Sequence, residues 1–344
     1  MKIIHIDSGL GNQMLSYCEY LAMKKMNPND DCYIETIIYE IPECQEVVCQ
    51  WNGYELNRIF GINAPNIKSL FTPTQWESVI KEVRASKFWE KNWNYPVYIT
   101  QALNHAGIEI KNVRGNFEAK GFKSMANTVP WYKQTKTYAK LSYLKNKVFT
   151  KQESFPDATH ILFRHSEKSV FIGQLLYFKF KNSGIERIEQ EIRESFRFPP
   201  ITDTRNLQVW QQINNSNSIA IHVRRGDMLP MNYQYFADGY FKRATRYIKK
   251  HIIHPVFFIF CDQDTTEWGK QHIKQLGINS ETDEFMFIDW NKDLDSWRDM
   301  QLMAACKHNI ITRSSFGWWG SWLNTNPNKI TISPIPSVNT TLSL

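Results

Sequence analysis

Lys2 to Ile6 form a short β-branched apolar run closed by Asp7-Ser8-Gly9-Leu10-Gly11, and from Met14 to Met26 apolar residues recur at helical intervals. That order predicts a strand, a glycine turn and a helix, the opening unit of a Rossmann-like half. From about Tyr33 to Phe198 the pattern is irregular and rich in Trp, Tyr, Phe and Lys, with a helix predicted over Ile185 to Phe196. The helix must stop before Pro199-Pro200, and that pair with Ile-Thr-Asp-Thr after it reads as a linker. The second half is regular. Strands are predicted at Ser218 to Val223, Pro255 to Phe260, Phe285 to Ile288, Asn309 to Thr312 and Lys329 to Ser333. Helices fall between them at Tyr240 to His251, Glu267 to Leu276, Leu294 to Cys306 and Gly317 to Thr325. Alternating strands and helices imply an α/β fold, a parallel sheet covered on both faces.

A length of 344 residues suits two domains of roughly 150 to 200 residues each. The linker sets them at 1–198 and 199–344. Two such Rossmann-like domains facing each other across a cleft make the GT-B-like architecture of nucleotide-sugar glycosyltransferases. The formal charge of +7 has no dense basic block behind it, and Lys242-Arg243…Arg246…Lys249-Lys250 has the spacing of an ordinary surface helix. A nucleic-acid partner is therefore not expected. Six cysteines without a CxxC pair exclude a zinc ribbon or a redox couple and suit a reduced compartment. No stretch reaches the roughly 18 apolar residues of a membrane span, and the start has no signal-peptide apolar core. A cytoplasmic protein is expected, free or peripheral to the inner face of the membrane.

Three unusual stretches fall at predicted strand ends, where open parallel sheets collect ligands. In His222-Val-Arg-Arg-Gly-Asp-Met228, side-chain alternation puts His222 and Arg224 on one face and Val223 and Arg225 on the other. Adjacent guanidiniums repel unless an anion or carboxylates separate them, and a diphosphate matches their planar forks. Alternatively one arginine pairs with Asp227 and the other with a neighbouring helix. In Arg313-Ser-Ser-Phe-Gly-Trp-Trp-Gly-Ser-Trp322 a strand end meets a helix start, so backbone N–H groups and the Ser314 and Ser315 hydroxyls stand where the helix dipole favours an anion. One serine can equally be an N-cap, and the tryptophans read as core. Ser8-Gly-Leu-Gly-Asn-Gln13 repeats the arrangement in the other half of the chain, with Asn12 and Gln13 as uncharged donors. It is neither GxGxxG nor a P-loop, which argues against an oxidoreductase.

Taken in order, SGLGNQMLSYCEYLA, HVRRGDM, FCDQDTTEW and RSSFGWWGSWL resemble the motifs of the α-1,2-fucosyltransferase family, glycosyltransferase family 11, and Asp299 to Cys306 resembles its D-x-x-L-M-x-x-C helix. Four departures stand out. Ser8 replaces the family's first glycine, Arg313 an asparagine, and Gly317 a serine, while Cys261 and Gln263 alter an FSDD segment. The resemblance implies an inverting, metal-independent enzyme that takes GDP-fucose without another cofactor and fucosylates a galactose-terminated oligosaccharide or polysaccharide repeat. It implies a donor site of Gly11, Asn12, Gln13, His222, Arg224, Arg225, Asp262, Ser314, Ser315 and Phe316, with Asp262 near guanine and the arginines on the diphosphate.

In that reading Arg224 stabilises the departing β-phosphate. Asp227 is either the general base or a salt-bridge partner of Arg225, and Asp7 is a second base candidate. Asp262-Gln-Asp264 and Asp293-Leu-Asp295 offer the short DxD pattern of metal-dependent transferases, with Asp293 or Asp295 alternatively an N-cap. Trp51, Trp76, Trp89, Trp93 and Trp131 read as core rather than sugar platforms. Rival readings are a fucosyltransferase of other linkage or acceptor, a GDP-mannose user, or a non-catalytic nucleotide-sugar or glycan-binding protein.

Overall fold

The computed structural model describes residues 1–47, 52–91, 95–110, 132, 135–149, 171–172, 183–226, 228–262 and 265–344. They fall into two compact units whose sequence boundary lies between Pro199 and Pro200, and the Lys136–Phe149 helix belongs with the second.

In the first unit, β1 (Lys2–His5), β2 (Cys32–Glu35) and β3 (Phe171–Ile172) form a parallel sheet in the order β2-β1-β3. Its core gathers Ile3, Ile37, Ile38, Ile41, Trp76 and Trp89. The Pro73–Ala85 helix feeds that core with Trp76, Val79 and Val83, spaced along one helical face. A reciprocal capping box between Thr72 and Gln75 fixes where it begins. Trp76 and Trp89 are thus core, whereas Trp51, Trp93 and Trp131 lie outside the described residues.

The helix after β1 spans Leu10–Met26, beginning before the expected Met14. Gly11, Asn12 and Gln13 therefore sit in its first turn. Ser8 makes the reversal into that helix at φ 63, a left-handed conformation that costs an L-residue about 1–2 kcal/mol. The family's glycine at this position has a physical reason. Ser8→Gly is expected to melt at or above the wild-type temperature in a thermal scan, because relief of strain outweighs the added freedom of the unfolded glycine. Ser8→Val should melt below it, since a β-branched side chain tolerates positive φ least.

In the second unit, six parallel strands run in the order β6-β5-β4-β7-β8-β9. They are β4 (Asn217–Val223), β5 (Pro255–Cys261), β6 (Glu284–Ile288), β7 (His308–Ile310), β8 (Thr331–Ser333) and β9 (Leu342–Ser343). Alternation splits the core between the two faces. Ile219, Ile221, Val223, Phe257 and Ile259 pack with Tyr240, Phe241, Ala244 and Ile248 of the Tyr240–His251 helix. Ala220, Phe258, Phe260 and Ile288 pack instead with Val209 and Ile213 of the Thr204–Asn215 helix and with Leu302 and Met303 of the Trp297–Ala305 helix. Burial of such side chains stabilises by about 1.5–3 kcal/mol each.

Within residues 200–344, two helices and one strand exceed the sequence expectation: Thr204–Asn215, Leu229–Ala237 and β9. Two expected helices of the same stretch are shorter than predicted. Glu267 to Leu276 divides into an α-helix at Thr266–Gln271 and a 3₁₀ turn at Ile273–Leu276. Leu294 to Cys306 divides into a 3₁₀ turn at Asp293–Asp295 and an α-helix at Trp297–Ala305. Ser296 is the N-cap of that α-helix, so neither Asp293 nor Asp295 takes the capping role; Asp295 instead lies 3.4 Å from Arg298.

Candidate functional site at the β4 and β7 ends

From β4 the chain winds outward through β5 and β6, then returns to the other side of β4 and winds outward again through β7, β8 and β9. The reversal lies between β4 and β7. Such a switch point opens a crevice outside the carboxyl ends of the strands, the general ligand position of this sheet type. His222, Arg224 and the Thr312–Phe316 turn all leave the sheet there.

His222 is buried, with its ring stacked on Phe316 at 5.9 Å between centroids. A Cβ on Gly317 would come within 2.4 Å of His222 Nδ1. A side chain at position 317 would therefore require the His222 ring to shift. Burial, reinforced by the Arg224 charge, pushes the His222 imidazole down to about 3. At neutral pH it is uncharged, suited to hydrogen bonding and unsuited to carrying a proton.

Arg224 is about one-fifth exposed, and its Nε lies 4.0 Å from Oδ2 of buried Asp262, at the end of β5. Its backbone is held on both sides. The Arg224 N–H donates to Thr312 Oγ1 at 3.3 Å, and its carbonyl accepts from Asn232 Nδ2 at 2.8 Å. Asn232 also donates to the Arg313 carbonyl at 3.4 Å. Gly226 is constrained too, for a Cβ there would meet Asp262 Oδ2 at 2.6 Å. That contact is the reason the arginine pair is followed by glycine.

The alternation read from the sequence is realised, and it separates the two arginines. Arg225 lies with its guanidinium 4.7 Å over the Trp268 ring, a cation–π contact with the helix that follows β5. Burial lowers its pKa, partly opposed by Asp262 and Tyr233. Arg225 thus takes the neighbouring-helix alternative, while the Arg224 side chain lies toward Asp262 at the end of β5. Asp227 lies outside the described residues, as does Asp264.

Ser314 is the N-cap residue of the Ser315–Trp322 helix, yet its side chain makes no capping hydrogen bond. The first intrahelical bond runs from Trp318 N–H to the Ser314 carbonyl, so the amides of Ser315, Phe316 and Gly317 have no partner within the helix. Ser314, Ser315 and Phe316 are half-buried and Arg313 is exposed. Trp318, Trp319 and Trp322 are core, as their pattern implied.

The sequence reading gave no role to Asp299. It is buried and accepts from Asn291 Nδ2 at 2.8 Å; Asn291 in turn is bonded to Asn206. Burial pushes the Asp299 carboxyl up to about 8, with Asn291 opposing and Asp289 reinforcing. Asp262, Asp289 and Asp299 all act on the Cys261 thiol, whose pKa burial raises most. The ends of β5 and β6 therefore carry a concentration of carboxyls. Among the described residues no three His, Cys, Asp or Glu side chains group as a metal cluster.

In the first unit Gln13 is buried and spent on the backbone. It donates to the carbonyls of Ser8 and Gly53 and accepts from the Glu55 N–H. Its work is to brace the strained turn, while Asn12 beside it is half-buried. Asp7 is buried, hydrogen-bonded by the Tyr95 hydroxyl at 2.6 Å and 3.8 Å from His5 Nε2. His5 pairs on its other side with Glu35.

Residues 170–340 match the sequence profile described as Glycosyl transferase family 11. The chain belongs to glycosyl transferase family 11. This family 11 chain is 35% identical over 162 residues to the alpha-1,2-colitosyltransferase of Escherichia coli, covering 44% of itself and 52% of that protein. It is 30% identical over 140 residues to the O-antigen biosynthesis glycosyltransferase WbnK of Escherichia coli, covering 38% and 42%. To the galactoside alpha-(1,2)-fucosyltransferase 1 of Saimiri sciureus it is 27% identical over 110 residues, covering 30% and 28%. The match spans about half the length of these relatives or less. A solved structure of an Arabidopsis thaliana FUT1 mutant in complex with GDP aligns with TM-score 0.43 at 12% identity, covering 99% of this chain and 72% of that one. Arg224, Asp262 and the Ser314–Phe316 turn of the family 11 chain fall inside the matched residues, whereas the Gly11–Gln13 turn lies before them. No helix among the described residues is long and apolar enough to cross a membrane.

Proposed function

We propose that this chain is an inverting transferase that moves L-fucose from GDP-β-L-fucose to the 2-hydroxyl of a terminal β-galactoside, forming an α-1,2 linkage. The observation that carries the reading is the fastening of the Arg224 backbone, through Thr312 and Asn232, to the turn before Ser314, which sets a guanidinium-bearing residue and an uncapped helix start at adjacent strand ends. Both offer positive potential to an anion. The acceptor hydroxyl attacks the anomeric carbon from the face opposite the diphosphate, and charge grows on the leaving β-phosphate. Preorganised donors there lower the barrier. Arg224 and the Ser315 and Phe316 amides supply them without a divalent cation. Neutral His222 contacts the nucleotide, and Asp262 orients Arg224 and lies toward the base. Asp227 is the general base or the anchor of Arg225.

Colitose as the transferred sugar is the second reading, favoured by the 35% identity to a colitosyltransferase. Incubating the purified chain with GDP-fucose and a free β-galactoside should give an α-1,2-fucoside, identified by NMR of the new linkage, with activity retained in EDTA. Turnover only with the colitosyl donor selects the second reading. GDP-fucose bound but neither transferred nor hydrolysed selects a binding protein, and activity lost in EDTA and restored by manganese overturns the metal-free part.

A further inference from the structure

Asn232 lies in the Leu229–Ala237 helix and has no exposed surface. Its Nδ2 bridges two carbonyls that belong to different strand ends: Arg224 after β4, at 2.8 Å, and Arg313 after β7, at 3.4 Å. Thr312 ties the same two ends a second way. Its Oγ1 accepts from the Arg224 N–H and donates to the His222 carbonyl, each at 3.3 Å. The Arg224 peptide is thus gripped at both its N–H and its C=O, and the turn leading into Ser314 is fastened to it.

The other half of the Asn232 amide contributes nothing comparable. Its Oδ1 is buried and has no hydrogen-bond partner among the described residues. An acceptor left in that state disfavours the folded protein and offsets part of what the two donated bonds contribute. Stability alone therefore does not account for an asparagine here. Fixing a loop in its binding conformation, by contrast, removes an ordering cost that a ligand would otherwise bear.

We infer that Asn232 is a positioning residue: by bridging the Arg224 and Arg313 carbonyls it sets the Arg224 guanidinium and the Ser314–Phe316 turn at the spacing that receives a nucleotide diphosphate. This rests on the diphosphate reading above. Without the bridge each turn keeps its own residues and loses its registration with the other. Both GDP affinity and transfer should then fall, while the fold persists.

The test compares Asn232→Leu and Asn232→Asp with wild type and with Arg224→Ala, using GDP as the calorimetric probe and GDP-fucose turnover as the kinetic one. Asn232→Leu, which takes the donor from two carbonyls, should melt somewhat below the wild-type temperature yet fold, and bind GDP about tenfold more weakly, with kcat reduced as well. Asn232→Asp, of equal size but without the donor, should show the same loss and serves if the leucine variant fails to fold. GDP affinity and kcat within twofold of wild type in a folded variant overturn the inference. So does unfolding of both variants, which marks the asparagine as structural. If Arg224→Ala binds GDP like wild type, the diphosphate reading itself has failed; if it weakens GDP and the Asn232 variants do not, only the positioning role has.

Discussion

Arg224→Ala is expected to lower kcat for GDP-fucose by about 10²–10³-fold, the range seen when a preorganised donor to a developing oxyanion is removed. GDP affinity should fall by about 10- to 100-fold, since a charge-assisted hydrogen bond is worth roughly 1.5–3 kcal/mol. The asymmetry between the two arginines sharpens the expectation. Arg224 is partly exposed at the strand ends with Asp262 at 4.0 Å, whereas the Arg225 guanidinium rests on Trp268. Arg225→Ala should therefore cost less in turnover than Arg224→Ala. Arg224→Lys should recover only part of the loss, because an ammonium keeps the charge but not the bidentate fork. Steady-state rates across donor concentrations decide it. Turnover of Arg224→Ala near the wild-type rate at low GDP-fucose would remove Arg224 from the diphosphate.

The part of the site that depends on strand geometry was legible before any coordinates. Period-two alternation along β4 is local, so it assigned His222 and Arg225 to opposite faces, where the structure finds them against Phe316 and Trp268. The parallel sheet was legible for the same reason, because strands buried on both faces are short continuous apolar runs. Features set by distant partners were not. The linker pattern of Pro199-Pro200 with Ile-Thr-Asp-Thr gives no sign of the Thr204–Asn215 helix, yet Asp203 accepts the Asn206 N–H and starts a helix there. The Leu229–Ala237 helix was missed altogether, and with it Asn232, whose bonds reach 8 and 81 residues along the chain. Gln13 shows the same limit in another form. An amide beside a glycine turn suits a ligand or a brace equally, and only Gly53 and Glu55, some forty residues away, reveal the brace. Two departures from the family pattern, Ser8 and Gly317, acquired meaning from one backbone angle and one close approach.

Asp299 shows how far burial can move a group that the sequence presents as an ordinary acid. Burial pushes its carboxyl up to about 8 in the folded protein, against about 3.9 in an unfolded chain. Between those values the folded state binds a proton that the unfolded state has released, so the contribution of Asp299 to stability falls as pH rises through this window. The slope is roughly 1.4 kcal/mol per pH unit, on the order of 5 kcal/mol in all by pH 8. Asp299→Asn removes the titration and keeps an oxygen able to accept from Asn291 Nδ2, the bond now made at 2.8 Å. The variant should match wild type in stability near pH 4 and exceed it increasingly towards pH 8. Denaturant unfolding at pH 5 and pH 8 measures the two gaps. Equal gaps would mean that the carboxyl is ionised in the fold, and that a cation or donor beyond Asn291 holds it there.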